Sequence, residues 1–339
     1  MPQHKHPSPA PQQRPKLCVL GAGAWGTALA LQAARGGNPV TIWARNPDRA
    51  AEIEATRENA RYLPGARLGP LVRVTADPAE ALDRAAFVLV AVPTQFMRSV
   101  LSALPDTGAP LIVCAKGVEK DTLLLPLEIA AAVRPGTPSA VLSGPNFAHE
   151  VARGLPAAAV VASHDVALRN LCADLLGTPG FRLYGGDDPI GVQVGGAAKN
   201  VIAIAAGAVI GAGLGENARA ALVTRGLAEL SRLTVALGGR QETAAGLSGL
   251  GDLLLTTTGP GSRNTSLGAE LARGVPLEKA IATRVGIAEG VETAPAIVAR
   301  AEQVGVELPI CAAVKGLLAG EITVGDAMGR LLARPRRDE

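Results

Sequence analysis

Two lysines and one aspartate stand in apolar surroundings where an ordinary surface charge is out of place. Lys116 lies in VCAKGVEK, Lys199 in GGAAKNVIAIAAG and Asp252 in GLGDLLLTT. A lysine in a partly dry cleft loses the water that stabilises its ammonium, so its pKa falls toward the range where it can give and take a proton. Spacing leaves a second reading open: each lysine can snorkel to the surface, which suits Lys116 better than Lys199. An unpaired carboxylate among leucines is costly, so Asp252 needs a partner. A catalytic lysine is one candidate, and capping of a helix after the glycine turn is the other.

The segment GPGSRN at 259–264 has the groups that hold a phosphate. Arg263 can give two parallel charge-assisted hydrogen bonds, while Ser262 and Asn264 add neutral donors. Its turn composition by itself fits a surface loop better. Histidine contributes little: His149 and His164 are isolated, and His4 and His6 fall in a tail rich in Pro and Gln. No metal is expected.

Near the start, Gly21-Ala22-Gly23-Ala24-Trp25-Gly26 follows the apolar run LCVL and opens a helix-like run. This is the dinucleotide fingerprint in its proper context. The first glycine permits the tight turn, the second lets backbone N–H groups approach the pyrophosphate, and the third lets helix and strand pack closely. The helix N-terminus then holds the anion. A glycine-rich turn with no ligand is the competing reading, since the chain has 40 glycines. After the second strand-like run, where a strict NAD binder places an acid, the chain reads Ala44-Arg45-Asn46. Arg45 can pair with the extra phosphate of NADP, so NADPH should serve at least as well as NADH. A solvated strand-end arginine is the alternative.

The elements that must position these residues follow from pattern. From Lys16 to about Tyr184, the runs CVL, PVTIW, VRV, FVLVAV, LIVCA, AVLSG, AAAVVAS and FRLY alternate with helical segments. That rhythm predicts an α/β fold with a Rossmann-type, doubly wound, mostly parallel sheet. Ligands bind beyond the carboxyl ends of such strands, which places Gly21, residues 91–93, Lys116 and Ser143 near one crevice. After Asp187 the strand signal gives way to helical segments at 190–212, 216–237, around Leu277 and at 293–303. These predict a second, all-helical domain with the active site between the two. The expected division is a disordered tail at 1–14, a dinucleotide-binding domain at 15–187, a helical substrate domain at 188–332 and a tail at 333–339.

Composition sets the bounds. A chain of 339 residues with 48% apolar residues supplies a core for two domains. The formal charge of +3 lies partly in the tails and indicates no nucleic-acid surface. Cys18, Cys114, Cys172 and Cys311 lack metal-ligand spacing and read as reduced, packed thiols. The first residues carry no hydrophobic segment of secretory type, which favours a reducing compartment. The apolar stretch at 201–215 is shorter than a membrane span and reads as a buried core helix.

Taken together, GAGAWG, VPTQF at 92–96, AKG at 115–117, SGPNFAHEV at 143–151, KN at 199–200, GLGENARAALVTRGLAE, GLSGLGDLLLT and SRN resemble one family in one order. The chain resembles the bacterial NAD(P)-dependent sn-glycerol-3-phosphate dehydrogenases from about residue 16 to 330. The resemblance implies reversible reduction of dihydroxyacetone phosphate to sn-glycerol 3-phosphate, a phospholipid precursor, in the cytoplasm. It implies Lys199 as proton donor and acceptor. Ala24, Trp25, Arg45, Ala148, Ile287 and Glu289 match cofactor-contacting positions. Lys116, Gly144, Asn146, Asp252, Ser262, Arg263 and Asn264 match substrate positions, with Lys116 and Arg263 also near the cofactor. Two positions depart: Ala24 stands where serine is frequent, and Asn146 where Ser or Thr is usual. Asparagine can hydrogen-bond through its amide but is longer than a hydroxyl side chain. By analogy with such folds a homodimer is expected.

A relative of the 6-phosphogluconate or β-hydroxyacid dehydrogenases would also place a lysine before an asparagine. The SRN and GLGDLLLT segments argue against it. A redox sensor that binds NAD(P)H without turnover would leave Lys116, Lys199 and Asp252 with no reason to occur together.

Overall fold

The computed structural model describes residues 14–258, 261–286 and 288–333. The expected tails lie outside the described residues apart from Arg14 and Ala333, as does Ile287. Eight strands form the first half: β1 Leu17–Leu20, β2 Val40–Trp43, β3 Val72–Thr75, β4 Val88–Val90, β5 Leu111–Val113, β6 Ser139–Ser143, β7 Ala157–Ala162 and β8 Phe181–Gly186. Between them run α1 Ala24–Arg35, α2 Pro47–Thr56, α3 Pro78–Leu82, α4 Thr94–Ala103, α5 Pro126–Val133, α6 Ala148–Ala152 and α7 Val166–Leu176. All eight strand-like runs of the sequence are strands of one sheet, in the order β3-β2-β1-β4-β5-β6-β7-β8.

The sheet is parallel except where β7 pairs antiparallel with β6. Helices cover it, so β1, β2, β4 and β5 are buried along their length, which is why their sequences are continuous apolar runs rather than alternating ones. The strand order reverses between β1 and β4, and a crevice opens there beyond the strand ends. Local chemistry sets the helix starts: Asn46 accepts from Arg49 N at 2.9 Å ahead of Pro47, and the Asp165 carboxylate accepts from Ala167 N and Leu168 N.

The second half is helical: α8 Pro189–Gly211, α9 Gly215–Ala236, α10 Gln241–Ala244, α11 Asp252–Thr258, α12 Arg263–Ala272, α13 Leu277–Ala282, α14 Glu289–Gln303, α15 Pro309–Leu318 and α16 Val324–Leu332. A π-helical turn, Leu247–Gly251, leads into α11. Helix α8 is the axis of this domain, packed by α9, α11, α12 and α14. Two glycines let α8 and α12 meet backbone to backbone. A Cβ at Gly207 would lie 1.9 Å from the Thr265 carbonyl oxygen, and one at Gly268 would lie 1.9 Å from that of Ile204.

Of the apolar stretch expected at 201–215, residues 201–211 belong to a longer helix that begins at Pro189, and the remainder forms the turn into α9 and its first residue. Lys199 and Asn200 interrupt the run in the sequence, but both are buried and hydrogen-bonded, so the helix passes through them. By length and composition α8 could cross a membrane, yet 83% of its apolar window is buried against the rest of the chain, as in a core helix. The four cysteines are buried and free.

Candidate active site

The fingerprint lies at the β1–β4 crevice. Gly21 has φ +112, and a Cβ there would lie 3.0 Å from the carbonyl oxygen of Ala91, at the end of β4. A Cβ on Gly26 would lie 2.0 Å from the Gly21 oxygen, so glycine is what permits α1 to start this close to β1. Gly23 is the N-cap of α1, without a side-chain cap, and a Cβ there meets open space. The first N–H groups of α1 therefore stand beside open space, where an anion can approach them. Trp25 Nε1 in the first turn of α1, Thr94 Oγ1 at the start of α4 and Ser143 Oγ at the end of β6 are buried with no protein partner. Such atoms fit a site that a polar ligand completes. Asn59, not singled out in the sequence, ties the loop down, donating to Ala22 O at 3.0 Å and to Thr27 Oγ1 at 2.8 Å. Arg45 is exposed at the end of β2.

Across the crevice, the two lysines and Asp252 come together. Lys116 follows β5, Lys199 sits midway along α8, and Asp252 opens α11. Lys199 Nζ donates to Asp252 Oδ1 at 2.8 Å, and Lys116 Nζ donates to Asp252 Oδ2 at 2.6 Å. Neither expected alternative holds: Lys116 is 16% exposed and ion-paired rather than snorkelled, and Asp252 spends its carboxylate on the lysines rather than on a helix cap. Gly196 makes room for the first lysine, since a Cβ there would lie 3.3 Å from Lys116 Cγ.

Each ammonium keeps a free N–H. Lys199 also donates to Thr256 Oγ1 at 3.1 Å, and Lys116 to Gly144 O at 3.2 Å, so two of three donors are used on each. Thr256 is a residue that sequence reading missed; its spacing of one turn from Asp252 was the available signal. Its hydroxyl donates to the Asp252 carbonyl at 2.6 Å, which turns its lone pairs toward Lys199.

Burial pulls the Lys199 pKa down to about 8, against the opposing pull of the Asp252 carboxylate and with help from the Lys116 charge. Burial alone would raise Asp252, but the two ammonium groups outweigh it and hold the carboxyl below its ordinary value. Glu289, at the start of α14, is raised by burial, partly offset by Arg263, Lys199 and Lys116. The cluster carries a net positive charge, which suits an anionic substrate.

The SRN segment is no surface loop. Ser262 and Asn264 are buried, and Arg263 is exposed at the first turn of α12. Ser262 Oγ accepts from Thr265 N at 3.2 Å as the cap of α12. Asn264 donates to Asn200 Oδ1 at 2.9 Å and accepts from Gly290 N at 3.2 Å, tying α8, α12 and α14 together. Gly286 packs against the Arg263 guanidinium; a Cβ there would lie 2.4 Å from its Nη1. At the end of β6, Asn146 donates to Ala158 O at 3.0 Å, while its Oδ1 is buried without a partner. Gly144 leads into this turn, and Ala148 begins α6.

The sheet domain and the helical domain each match one family. Residues 16–169 match the N-terminus of NAD-dependent glycerol-3-phosphate dehydrogenase, and residues 188–329 match its C-terminus. The chain belongs to the NAD-dependent glycerol-3-phosphate dehydrogenase family. It is 52% identical over 327 residues to a glycerol-3-phosphate dehydrogenase [NAD(P)+] of Caulobacter vibrioides, covering 96% of this chain and 98% of that one. A relative of the same description from Acidiphilium cryptum is 54% identical over 325 residues, covering 96% and 98%. The crystal structure of glycerol-3-phosphate dehydrogenase from Coxiella burnetii superposes with a TM-score of 0.91 at 37% identity, covering 95% of this chain and 99% of that one. D-mandelate dehydrogenase shares the fold alone, with a TM-score of 0.60 at 12% identity. The family makes this chain an NAD(P)-dependent oxidoreductase.

Proposed function

We propose that the chain reduces dihydroxyacetone phosphate reversibly to sn-glycerol 3-phosphate, with Lys199 as proton donor and, in reverse, acceptor. The observation that carries this is the shared carboxylate: Asp252 holds Lys199 and Lys116 on its two oxygens, and each lysine keeps one N–H free. Gly21, Gly23, Ala24, Trp25, Gly26, Arg45, Lys116, Ala148, Arg263 and Glu289 would hold NADPH or NADH, which would supply a hydride for the ketone carbon. As charge grows on the ketone oxygen, Lys199 delivers its proton there, becomes the neutral amine, and regains a proton from water. A pKa near 8 suits both directions of that transfer. Lys116 stabilises the developing oxyanion electrostatically.

Arg263 and the N-terminus of α12 hold the substrate phosphate and fix the approach of the ketone. Ser262 and Asn264 shape that site by capping and tying helices rather than by offering free side chains. Gly144 and Asn146 border the substrate at the end of β6. Arg45, free at the end of β2, supports use of NADPH at least as well as NADH. We assign the dinucleotide domain to 15–187 and the substrate domain to 188–332, and we infer a cytoplasmic homodimer.

The test is NADPH oxidation by purified protein with dihydroxyacetone phosphate, repeated with NADH and with unphosphorylated dihydroxyacetone. Phosphate-dependent turnover is expected, and Lys199→Ala should lower kcat at least ~100-fold while still binding NADPH. Absence of turnover with either cofactor, despite nucleotide binding, would overturn the assignment.

A further inference from the structure

Lys116 differs from its two partners in where it stands. Lys199 and Asp252 sit on helices, whereas Lys116 lies on irregular backbone beyond β5, and loops move more readily than the elements they join. Its loop is nevertheless fastened along its length to α4. Gln95, in the first turn of α4, uses both ends of its amide: Nε2 donates to Val118 O at 2.8 Å, and Oε1 accepts from Lys120 N at 3.1 Å. One turn further, Arg98 forks onto Glu119, with Nε donating to Oε1 at 3.1 Å and Nη2 to Oε2 at 2.8 Å.

The Glu119 carboxylate is buried, and the Thr122 hydroxyl also donates to it. Backbone bonds from Leu123 N to Glu119 O at 2.9 Å and from Glu119 N to Leu124 O at 3.0 Å close the turn. Between Lys116 and this clamp lies Gly117. A Cβ there would lie 2.9 Å from Thr293 Oγ1 on α14 and 3.1 Å from Thr94 Oγ1 on α4, so the loop is wedged between the two domains.

A buried ion pair adds little net stability, because desolvation cancels most of its attraction. What it does supply, with the bidentate amide beside it, is a fixed register between loop and helix. We propose that Gln95 and the Arg98–Glu119 pair are positioning residues that set where the Lys116 ammonium stands relative to the ketone oxygen. The proposal rests on the functional reading above. None of the three side chains touches substrate; they act through Lys116.

The experiment is a double-mutant cycle in the full chain. Gln95→Leu is made in the wild type and in Lys116→Ala, and kcat and KM for dihydroxyacetone phosphate, the Kd for NADPH and the melting temperature are measured for each. In the wild type, Gln95→Leu should lower kcat about 10- to 100-fold, the cost of a misplaced group, with the Kd for NADPH within about twofold. In Lys116→Ala the same change should cost less than about twofold, because the group it positions is already gone.

Equal losses in both backgrounds overturn the proposal, as does a Gln95→Leu enzyme with normal kcat. Should Gln95→Leu fail to fold, Glu119→Gln takes its place, since it keeps the shape of the pair and leaves Arg98 solvent-accessible. If Lys116→Ala turns over too slowly to follow, the cycle is read in the Kd of sn-glycerol 3-phosphate by calorimetry, with the same outcomes. A wild-type chain that does not turn over dihydroxyacetone phosphate would instead defeat the functional reading.

Discussion

The Lys199 ammonium rests 2.8 Å from Oδ1 of Asp252, in surroundings where burial draws its pKa down and the carboxylate draws it back up. The balance leaves the lysine at about 8 rather than the ordinary 10.5. The first two predictions follow from that balance.

In the reducing direction the lysine must start protonated. The kcat for dihydroxyacetone phosphate reduction should therefore hold below pH about 8 and fall above it. Oxidation of glycerol phosphate needs the neutral amine and should rise through the same pH. Opposite limbs in the two directions are the signature; a parallel pair of profiles would remove Lys199 from proton transfer.

Asp252→Asn removes the charge that holds both ammonium groups. Lys199 should then lose its proton at lower pH, moving the falling limb of the reduction profile to the acid side of wild type. Because Lys116 is also released, kcat should drop on the order of 100-fold. Retention of the wild-type limb would show that Asp252 does not tune Lys199.

Arg45→Ala should raise KM for NADPH about 10-fold and leave KM for NADH nearly unchanged, since NADH lacks the phosphate that Arg45 would pair with. The NADPH effect should shrink as salt is raised, because Arg45 is exposed. Equal changes with both cofactors would make Arg45 a solvated strand-end residue.

Away from the site, buried Glu229 on α9 accepts from Ile310 N at 2.6 Å and from Cys311 N at 3.3 Å, satisfying the start of α15. Burial raises this carboxyl, and those two N–H groups oppose the rise. Glu229→Ala strands both donors and should cost about 1–3 kcal/mol in a denaturant titration, with kcat little changed. Glu229→Gln keeps one acceptor and should lose less.

What the sequence by itself determined is the part of the molecule governed by local rules. Continuous apolar runs mark the strands covered on both faces, and together with the alternating runs VRV and FRLY they emerge as one eight-stranded sheet. GAGAWG sits between a strand and a helix because Gly21 and Gly26 answer steric demands within reach of the turn, such as the Gly21 oxygen 2.0 Å from a Cβ on Gly26, while Gly23 leaves the start of α1 open. Pairing was beyond that reach. The spacing of Lys116 and Asp252 fitted a surface lysine and a helix cap as well as a site, because a charge in an apolar segment announces a need for a partner without saying which. Thr256 offered only its one-turn spacing from Asp252, and nothing in the sequence pairs Glu119 with Arg98, which lies on another element. Only the packing of α8 and α11 against the end of β5 puts two lysines on one carboxylate. That shared burial, which no linear pattern encodes, is what brings Lys199 to a pKa where it can pass a proton.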